Sequence, residues 1–183
     1  MSKRSITTGK GDKGETAFLG GQRIHKSELR PQASGALDEA SAFIGLARCK
    51  ASSPVLNDML IRIQKHIYLI NAELALAADK KPFAAKSILS EHLDWLNQAM
   101  QELEHGLNLP QKFVLYGETE LSALLDIARA VVRRAESLVV ALHDQKPLKN
   151  DHLLPYLNRL SDFLYLLARH HEANQGIAFR HPE

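Results

Sequence analysis

A glycine-rich stretch at residues 8–16, TGKGDKGET, has the composition of an anion-binding loop. It contains three glycines, two lysines and two threonines, and no apolar side chain. Glycines allow backbone N–H groups to surround a phosphate, and a lysine then supplies the counter-charge. The spacing differs from the Walker pattern GxxxxGK[ST], and no hydrophobic strand precedes it, so a standard P-loop is not expected. The same composition suits a flexible N-terminal tail, and the stretch alone leaves both interpretations open.

Two arginines in the second half of the chain could bind an anion as well. Arg129 and Arg133 are four residues apart in a helical segment and therefore lie on one face of it. That face also carries apolar residues, so it is not a purely solvent-facing surface. Guanidinium groups in such a setting take carboxylate or phosphate partners. The alternative is an intrahelical pair with Asp126 or Glu136.

Several other polar residues lie within predicted helical segments. Asp38 and Glu39 lie early in a helical segment, where compensation of the helix dipole is the simplest explanation. The segment YLNRLSD places Asn158 inside a leucine-rich helix, where asparagine is unfavourable unless its side chain has a role. Arg159 and Asp162, three residues apart, could simply pair with each other.

Nine histidines raise the question of a metal site. Glu102 and His105 match Glu-x-x-His, but a di-iron bundle needs this motif on two helices, and the sequence has no second copy. The segment RHHE at 169–172 and the other histidines lack the spacing of zinc ligands. The sequence therefore predicts no metal site built by the protein itself.

Length, charge and cysteine content restrict the function further. The 183 residues suit one domain, and a net charge of +2 is too small to indicate nucleic-acid binding. Residues 1–30 hold seven basic and three acidic residues, which favours an anionic small molecule near the glycine-rich stretch, although a solvated basic tail is the alternative. The single cysteine, Cys49, excludes a disulfide framework. No apolar run suits a membrane span or a signal peptide, so we expect a cytoplasmic protein without a membrane partner.

Five helical segments must position these residues. Apolar residues repeat at three- and four-residue spacing over Pro31–Ala47, Val55–Leu74, about Ala84–Glu104, Leu121–Leu142 and Leu153–Leu167. Pro31 is expected to open the first helix, because its missing N–H falls among groups that lack partners there. The apolar run Phe113–Leu115 is the exception, and its residues alone favour a loop plugged into the core.

This pattern predicts an all-α fold, a five-helix bundle that forms a single domain over residues 1–183. A glycine-rich N-terminal loop occupies residues 1–28, and the bundle occupies about 29–176. Ligand sites in helical bundles lie between facing helices or at their ends.

Five segments together resemble one known family. TGKGDKGET, LGGQRIHK, SGALDEASAFIGLAR, FVLYGETELSALLDIARAVVRRAES and YLNRLSDFLYLLAR occur in this order over residues 5–170. They resemble the trimeric ATP:cob(I)alamin adenosyltransferases of propanediol use and methylmalonyl-CoA metabolism. The resemblance implies a homotrimer with active sites between subunits. It also implies the reaction, in which Co(I) of reduced cobalamin attacks the 5′ carbon of ATP and expels triphosphate, leaving adenosylcobalamin.

The same resemblance assigns roles to individual residues. Arg129 matches an arginine that pairs with an acid of the neighbouring subunit, and Asp38 matches that acid. Phe113 matches the aromatic residue that displaces the lower axial ligand of cobalamin, which makes Co(II) easier to reduce. ATP, with Mg²⁺ carried by the nucleotide, would contact these residues: Thr8, Gly9, Lys10, Gly11, Thr16, Ala17, Lys26, Arg133, Arg134, Ser137 and Asn158. A reductase and an adenosylcobalamin-dependent enzyme are the implied protein partners.

The chain departs from the family pattern at several of these positions. Gly9 and Lys10 occupy the positions of a basic residue and a threonine in the family loop, so a hydroxyl contact is lost at Lys10 and an extra charge arrives there. Residues 115–118 read LYGE instead of Leu-Pro-Gly-Gly. Asp126 stands at the place of a common histidine, and Ser34 at the place of a tyrosine.

Two other functions are compatible with the sequence. The chain could bind ATP or adenosylcobalamin for delivery or sensing with little turnover, which the altered loops would permit. A purely structural helical oligomer would leave the presence of Asp38, Arg133 and Asn158 unexplained.

Overall fold

The computed structural model describes residues 7–19, 21–76 and 87–182. Its five helices are α1 (Leu29–Lys50), α2 (Pro54–Leu74), α3 (Ser90–Glu104), α4 (Glu120–Gln145) and α5 (Leu153–Asn174). They confirm the predicted all-α, five-helix architecture. Two short strands, β1 (Glu15–Ala17) and β2 (Arg23–His25), precede the helices and were not predicted from the sequence.

The helix boundaries follow local sequence with two differences from prediction. Helix α1 begins at Leu29, so Pro31 is its third residue and not its first, although the missing N–H is still among the first four, which have no partner within the helix. Helix α3 begins at Ser90. The predicted start of this helix near residue 84 falls within 77–86, outside the described residues.

Two helices begin at side-chain caps. The Ser53 hydroxyl accepts a hydrogen bond from Leu56 N at 3.4 Å, and Pro54 follows at the first helical position. At the start of α4, Ser122 N donates to Thr119 Oγ1 at 3.0 Å, and Thr119 N donates to Ser122 Oγ at 3.1 Å. This reciprocal pair fixes the start of α4 directly after the loop that carries Phe113.

The core lies between the apolar faces of the helices. Helix α4 packs between α1 and α5, α2 packs on α1, and α3 packs on α5. Leu37, Ile63, Leu125 and Leu164 are among the fully buried side chains, each of which stabilises the fold by about 1.5–3 kcal/mol. None of the described helices is long and apolar enough to cross a membrane.

The two strands form an antiparallel ribbon attached to one end of the bundle. Thr16 pairs with Ile24, and Ile24 is the buried residue of the ribbon. Leu19 N then donates to Ala75 O at 2.9 Å, immediately after α2 ends. The glycine-rich stretch is therefore held beside the C-terminal end of α2.

Candidate functional site

The glycine-rich stretch is folded into two successive turns. Gly9 and Gly14 have φ values of +65° and +81°, in the left-handed region that glycine adopts at little cost. Asp12 N donates to Gly9 O, and Gly14 N donates to Gly11 O, both at 3.2 Å. Thr8 and Lys10 are exposed at the surface of these turns. The stretch thus forms a loop with its own hydrogen bonds.

Basic side chains from the following segment fix this loop. Lys26 Nζ donates to Gly11 O at 2.9 Å, and an added Cβ on Gly11 would lie only 3.0 Å from that amine. Arg23 donates to Lys10 O at 2.7 Å and pairs with Glu15 at 2.8 Å. The structure therefore brings Lys26 to the loop and leaves positive charge around it.

A cavity of about 250 Å³ lies beside the loop and joins it to α1. Thr16, Ala17 and Asp38 line this cavity together, and the exposed Asp38 carboxylate accepts a hydrogen bond from Asn71 Nδ2 at 2.7 Å. Ser34 also lines it. Three of the residues predicted from the sequence therefore border one space.

Arg30 connects the three elements around this cavity. Its NH1 donates to Leu76 O at 2.6 Å, just beyond the end of α2, and its guanidinium carbon lies 5.7 Å from the centre of the Phe18 ring. Burial lowers the pKa of Arg30 from its ordinary value. No motif in the sequence pointed to this residue, because its partners are backbone carbonyls of a distant helix end.

The predicted nucleotide contacts of α4 and α5 lie on exposed surface. Arg133 and Ser137 are exposed, and the Ser137 hydroxyl donates to Arg133 O at 3.0 Å. Asn158 is exposed as well, and its amide donates to Glu136 Oε1 at 3.3 Å. Arg134 lies apart from them, because it forms an ion pair with Glu39 of α1.

Arg129 lies nearer the interior, beside a group of buried charges. Its Nε is 3.7 Å from Asp126 Oδ1, which is the intrahelical pair that its sequence position allowed. Arg169 is fully buried and lies 2.6 Å from Asp126 and 3.1 Å from Glu172. Burial raises the pKa of Asp126, against the opposing attraction of Arg169 and then Arg129. The RHHE segment contained Arg169 and Glu172, but nothing in its spacing indicated their burial.

The loop before α4 presents Phe113 to solvent. Its side chain is 85% exposed, so the interpretation of this residue as a core plug is wrong, and Val114 is the residue that is buried. The C-terminal segment holds the same loop: Leu115 N donates to Arg180 O at 2.8 Å, and His181 Nδ1 lies 2.8 Å from Phe113 O. These tail contacts were not predicted from the sequence.

The predicted site residues form two groups that no hydrogen bond or ion pair of the described residues joins. The first group consists of the glycine-rich loop, Lys26 and Asp38, near α1 and α2. The second consists of Phe113 with the α4 and α5 residues Arg129, Arg133 and Asn158. No hydrogen bond or ion pair joins residues 8–19 or 21–28 to α4 or α5 in the described structure. Within the described ranges, no three His, Cys, Asp or Glu side chains are grouped so that they could hold a metal ion.

Comparison with known proteins relates this arrangement to one family. The family profile described as cobalamin adenosyltransferase matches residues 6–171. The corrinoid adenosyltransferase of Bacillus subtilis is 36% identical over 180 residues, which cover 94% of this chain and 89% of that protein. The corrinoid adenosyltransferase PduO of Citrobacter freundii is also 36% identical, over 174 residues that cover 94% of this chain. This chain spans only 52% of that longer protein.

Solved structures show the same likeness. A phenylalanine-to-histidine variant of the PduO-type ATP:corrinoid adenosyltransferase from Lactobacillus reuteri, complexed with cobalamin and ATP, superposes with a TM-score of 0.91. It is 29% identical, and the match covers 98% of this chain and 97% of that one. An arginine-to-lysine variant complexed with ATP gives a TM-score of 0.88 at 28% identity, covering 97% and 100% of the two chains. On the extent of these matches, the chain belongs to the cobalamin adenosyltransferase family.

Proposed function

We propose that this chain transfers the 5′-deoxyadenosyl group of ATP to the Co(I) of reduced cobalamin. Co(I) supplies the electron pair of the new cobalt–carbon bond and becomes formally Co(III), and the C5′–O bond breaks so that triphosphate leaves with its electron pair. The observation that carries this proposal is the match to a structure that holds both cobalamin and ATP, over 98% of this chain.

The glycine-rich loop and Lys26 suit the triphosphate. Exposed N–H groups and positive side chains stabilise a leaving group that is already charged before the reaction. We assign Thr8, Gly9, Lys10, Gly11, Thr16 and Ala17 to this half of the ATP site, and Arg133, Arg134, Ser137 and Asn158 to the other half. To contact ATP, Arg134 would have to break or share its ion pair with Glu39. Among these residues, Arg134 would therefore lose the most favourable protein contact on binding ATP.

The two groups of assigned residues, which no hydrogen bond or ion pair joins in the described chain, favour a site shared by two subunits. Asp38 faces the loop cavity and α2, whereas Arg129 lies beside α5 and the Phe113 loop. We therefore infer a homotrimer in which Asp38 of one subunit pairs with Arg129 of the next, and in which each ATP is bound between two chains. Cyclic symmetry makes every such site equivalent.

Phe113 is assigned to the lower face of the corrinoid. The apolar ring is 85% exposed and so buries little surface in the isolated chain, which suits a residue whose partner is a ligand. The phenylalanine and the arginine substituted in the Lactobacillus reuteri variants are separated by 20 residues, as are Phe113 and Arg133. This equal interval supports the assignment of both residues.

No general base is needed in this mechanism. Co(I) is already a strong nucleophile, and triphosphate leaves without a proton from the protein. The chain would act by placing the cobalt in line with C5′ and by stabilising negative charge on the leaving group. Mg²⁺ would arrive with ATP.

The cellular setting follows from the substrates. A reductase must supply the electron that converts Co(II) to Co(I), and an adenosylcobalamin-dependent enzyme must use the product. We infer that all of these proteins work in the cytoplasm.

The direct test is anaerobic incubation of the protein with MgATP and chemically reduced cobalamin. We expect adenosylcobalamin, recognised by a spectrum that changes on exposure to light, and a matched sample without ATP should form none. Binding of ATP and adenosylcobalamin without turnover would favour a carrier or sensor, and absence of nucleotide binding would contradict both functions.

A further inference from the structure

Tyr116 lies over two guanidinium groups at the edge of the bundle. The centre of its ring is 4.9 Å from the guanidinium carbon of Arg129 and 5.6 Å from that of Arg169. Both distances lie within the range of a cation–π interaction. Tyr116 is 52% exposed, so one side of its ring faces solvent and the other side covers the two guanidinium groups.

The two arginines are held by groups other than the tyrosine. Arg169 is fully buried between the carboxylates of Asp126 and Glu172, at 2.6 Å and 3.1 Å. Arg129 lies 3.7 Å from Asp126 on the same helix. The positions of both arginines are thus set by carboxylates of α4 and α5 and do not depend on the loop. The Tyr116 ring can therefore attach the loop to two cations that are already fixed.

The loop has other attachments, and two of them, Leu115 N to Arg180 O and His181 Nδ1 with Phe113 O, both at 2.8 Å, hold it to a terminal segment that is itself exposed. Val114 is the buried residue within 113–118, and the ion pair between Arg180 and Glu118 at 3.3 Å involves an arginine side chain that is 73% exposed. Exposed ion pairs contribute little to stability. Gly117 has a φ of +102°, so the chain turns sharply directly after the tyrosine and towards α4. Tyr116 is thus the link between the Phe113 loop and the buried charges of α4 and α5.

We propose that Tyr116 is a positioning residue whose ring, stacked on Arg129 and Arg169, fixes the loop that carries Phe113. The inference rests on the proposed function for what Phe113 does to the corrinoid. The ring also covers one face of Arg129, and no hydrogen bond of the described residues uses that guanidinium, so its edge remains available to a carboxylate of the neighbouring subunit. Tyr116 would therefore join the corrinoid loop to the contact between subunits.

The test compares Tyr116→Phe, which keeps the aromatic face, with Tyr116→Leu, which removes it. Deuterium uptake of peptides covering residues 113–118 reports the opening of the loop without any substrate. We expect Tyr116→Leu to exchange about 5–30 times faster than the unmodified chain, as expected for the loss of interactions of this kind, and Tyr116→Phe to exchange at the original rate. Tyr68→Leu, at an exposed tyrosine of α2, is the control for a general effect of losing a tyrosine.

A second measurement connects the loop to the corrinoid. With ATP bound, Tyr116→Leu should show a smaller fraction of four-coordinate Co(II)alamin by electron paramagnetic resonance and a several-fold higher KM for cobalamin. The Kd for ATP should be unchanged, which a general folding defect would not predict.

The inference would be overturned if peptides covering residues 113–118 took up deuterium at the same rate in Tyr116→Leu and in the unmodified chain. It would also be overturned if Tyr116→Phe and Tyr116→Leu raised that rate by the same factor. If the unmodified protein forms no adenosylcobalamin, the proposed function fails, and the exchange comparison still decides whether Tyr116 anchors the loop.

Discussion

Arg133 is exposed on α4, and within the described residues its guanidinium forms no ion pair or hydrogen bond. Arg133→Ala should therefore leave the helical fold intact and weaken ATP binding. A hydrogen bond to a charged group contributes about 1.5–3 kcal/mol, which corresponds to about tenfold weaker binding or more. Calorimetric titration with MgATP measures this loss, and circular dichroism checks the fold. Lys65→Ala removes an exposed charge on α2 as the control, and a Kd unchanged by Arg133→Ala would contradict the assignment.

His66 should make the folded state sensitive to acid. Burial, and after it the electrostatic repulsion from His92 and Arg62, lowers its pKa from 6.5 to about 4. Its Nδ1 lies 2.7 Å from the buried Tyr156 hydroxyl, which adds no charge. Between pH 6.5 and 4 the unfolded chain binds more protons at this residue than the folded chain does. The contribution of His66 to the free energy of unfolding is therefore fully present above about pH 6.5. It is lost as the pH falls towards 4, and the loss amounts to roughly 2–3 kcal/mol.

Urea denaturation at several pH values between 7 and 4.5 measures this loss. His66→Gln should flatten the pH dependence even if the variant is less stable at every pH. His105→Gln, at an exposed histidine, should retain the slope of the unmodified chain. A slope that is identical in the His66 variant would show that other groups cause the acid sensitivity.

The sequence indicated which residues could carry charge or bind a ligand, but seldom which residue each of them pairs with. The roles assigned to Phe113, Arg129 and Asp38 rest on matching motifs and stay predictions, whereas the pair of Arg129 with Asp126 was allowed by helical spacing and is formed. The possible pair of Arg133 with Glu136 is not formed, because Glu136 accepts a hydrogen bond from Asn158 of α5. A partner on another helix depends on how two helices pack, which spacing along one helix cannot give.

At the scale of elements, the junction of α4 and α5 depends on buried charges. Arg169→Met would leave the carboxylates of Asp126 and Glu172 without their shared cation. Breaking a buried ion pair on one side costs about 3–5 kcal/mol, so the urea midpoint should fall sharply. A triple variant that also carries Asp126→Leu and Glu172→Leu should recover most of this loss, because apolar groups of similar volume often replace a buried ion set without penalty. Unchanged stability in Arg169→Met would mean that the two carboxylates are neutral in the folded protein.

The helices were predictable because their apolar residues repeat over many turns. The ribbon of β1 and β2 was not, because each strand has only three residues and is defined by pairing with the other. The attachment of residues 180–181 to the Phe113 loop is another contact between distant parts of the chain. Periodicity identifies an element that buries one face, and these segments bury almost nothing.

At the scale of the whole molecule, the proposed function has one bundle supply two half-sites that neighbouring subunits complete. The resemblance of the sequence implies active sites between subunits. No hydrogen bond or ion pair joins residues 8–19 or 21–28 to α4 or α5 in the described structure, which supports such an assembly. Light scattering should give a mass three times that of one chain, and a monomer at micromolar concentration would contradict the proposed trimer.

Mixed trimers test whether each site takes residues from two chains. Asp38→Asn and Arg133→Ala should each abolish most adenosyl transfer, because every site of either homotrimer lacks one required group. When the two variants are unfolded, mixed in equal amounts and refolded together, some sites combine the intact Asp38 half of one chain with the intact Arg133 half of its neighbour. Random assembly makes about a quarter of all interfaces intact in this way, so about a quarter of the original rate should return. The variants refolded separately and then mixed are the control and should stay inactive. If co-refolding restores no activity while light scattering confirms the trimer, both halves of the site belong to a single chain.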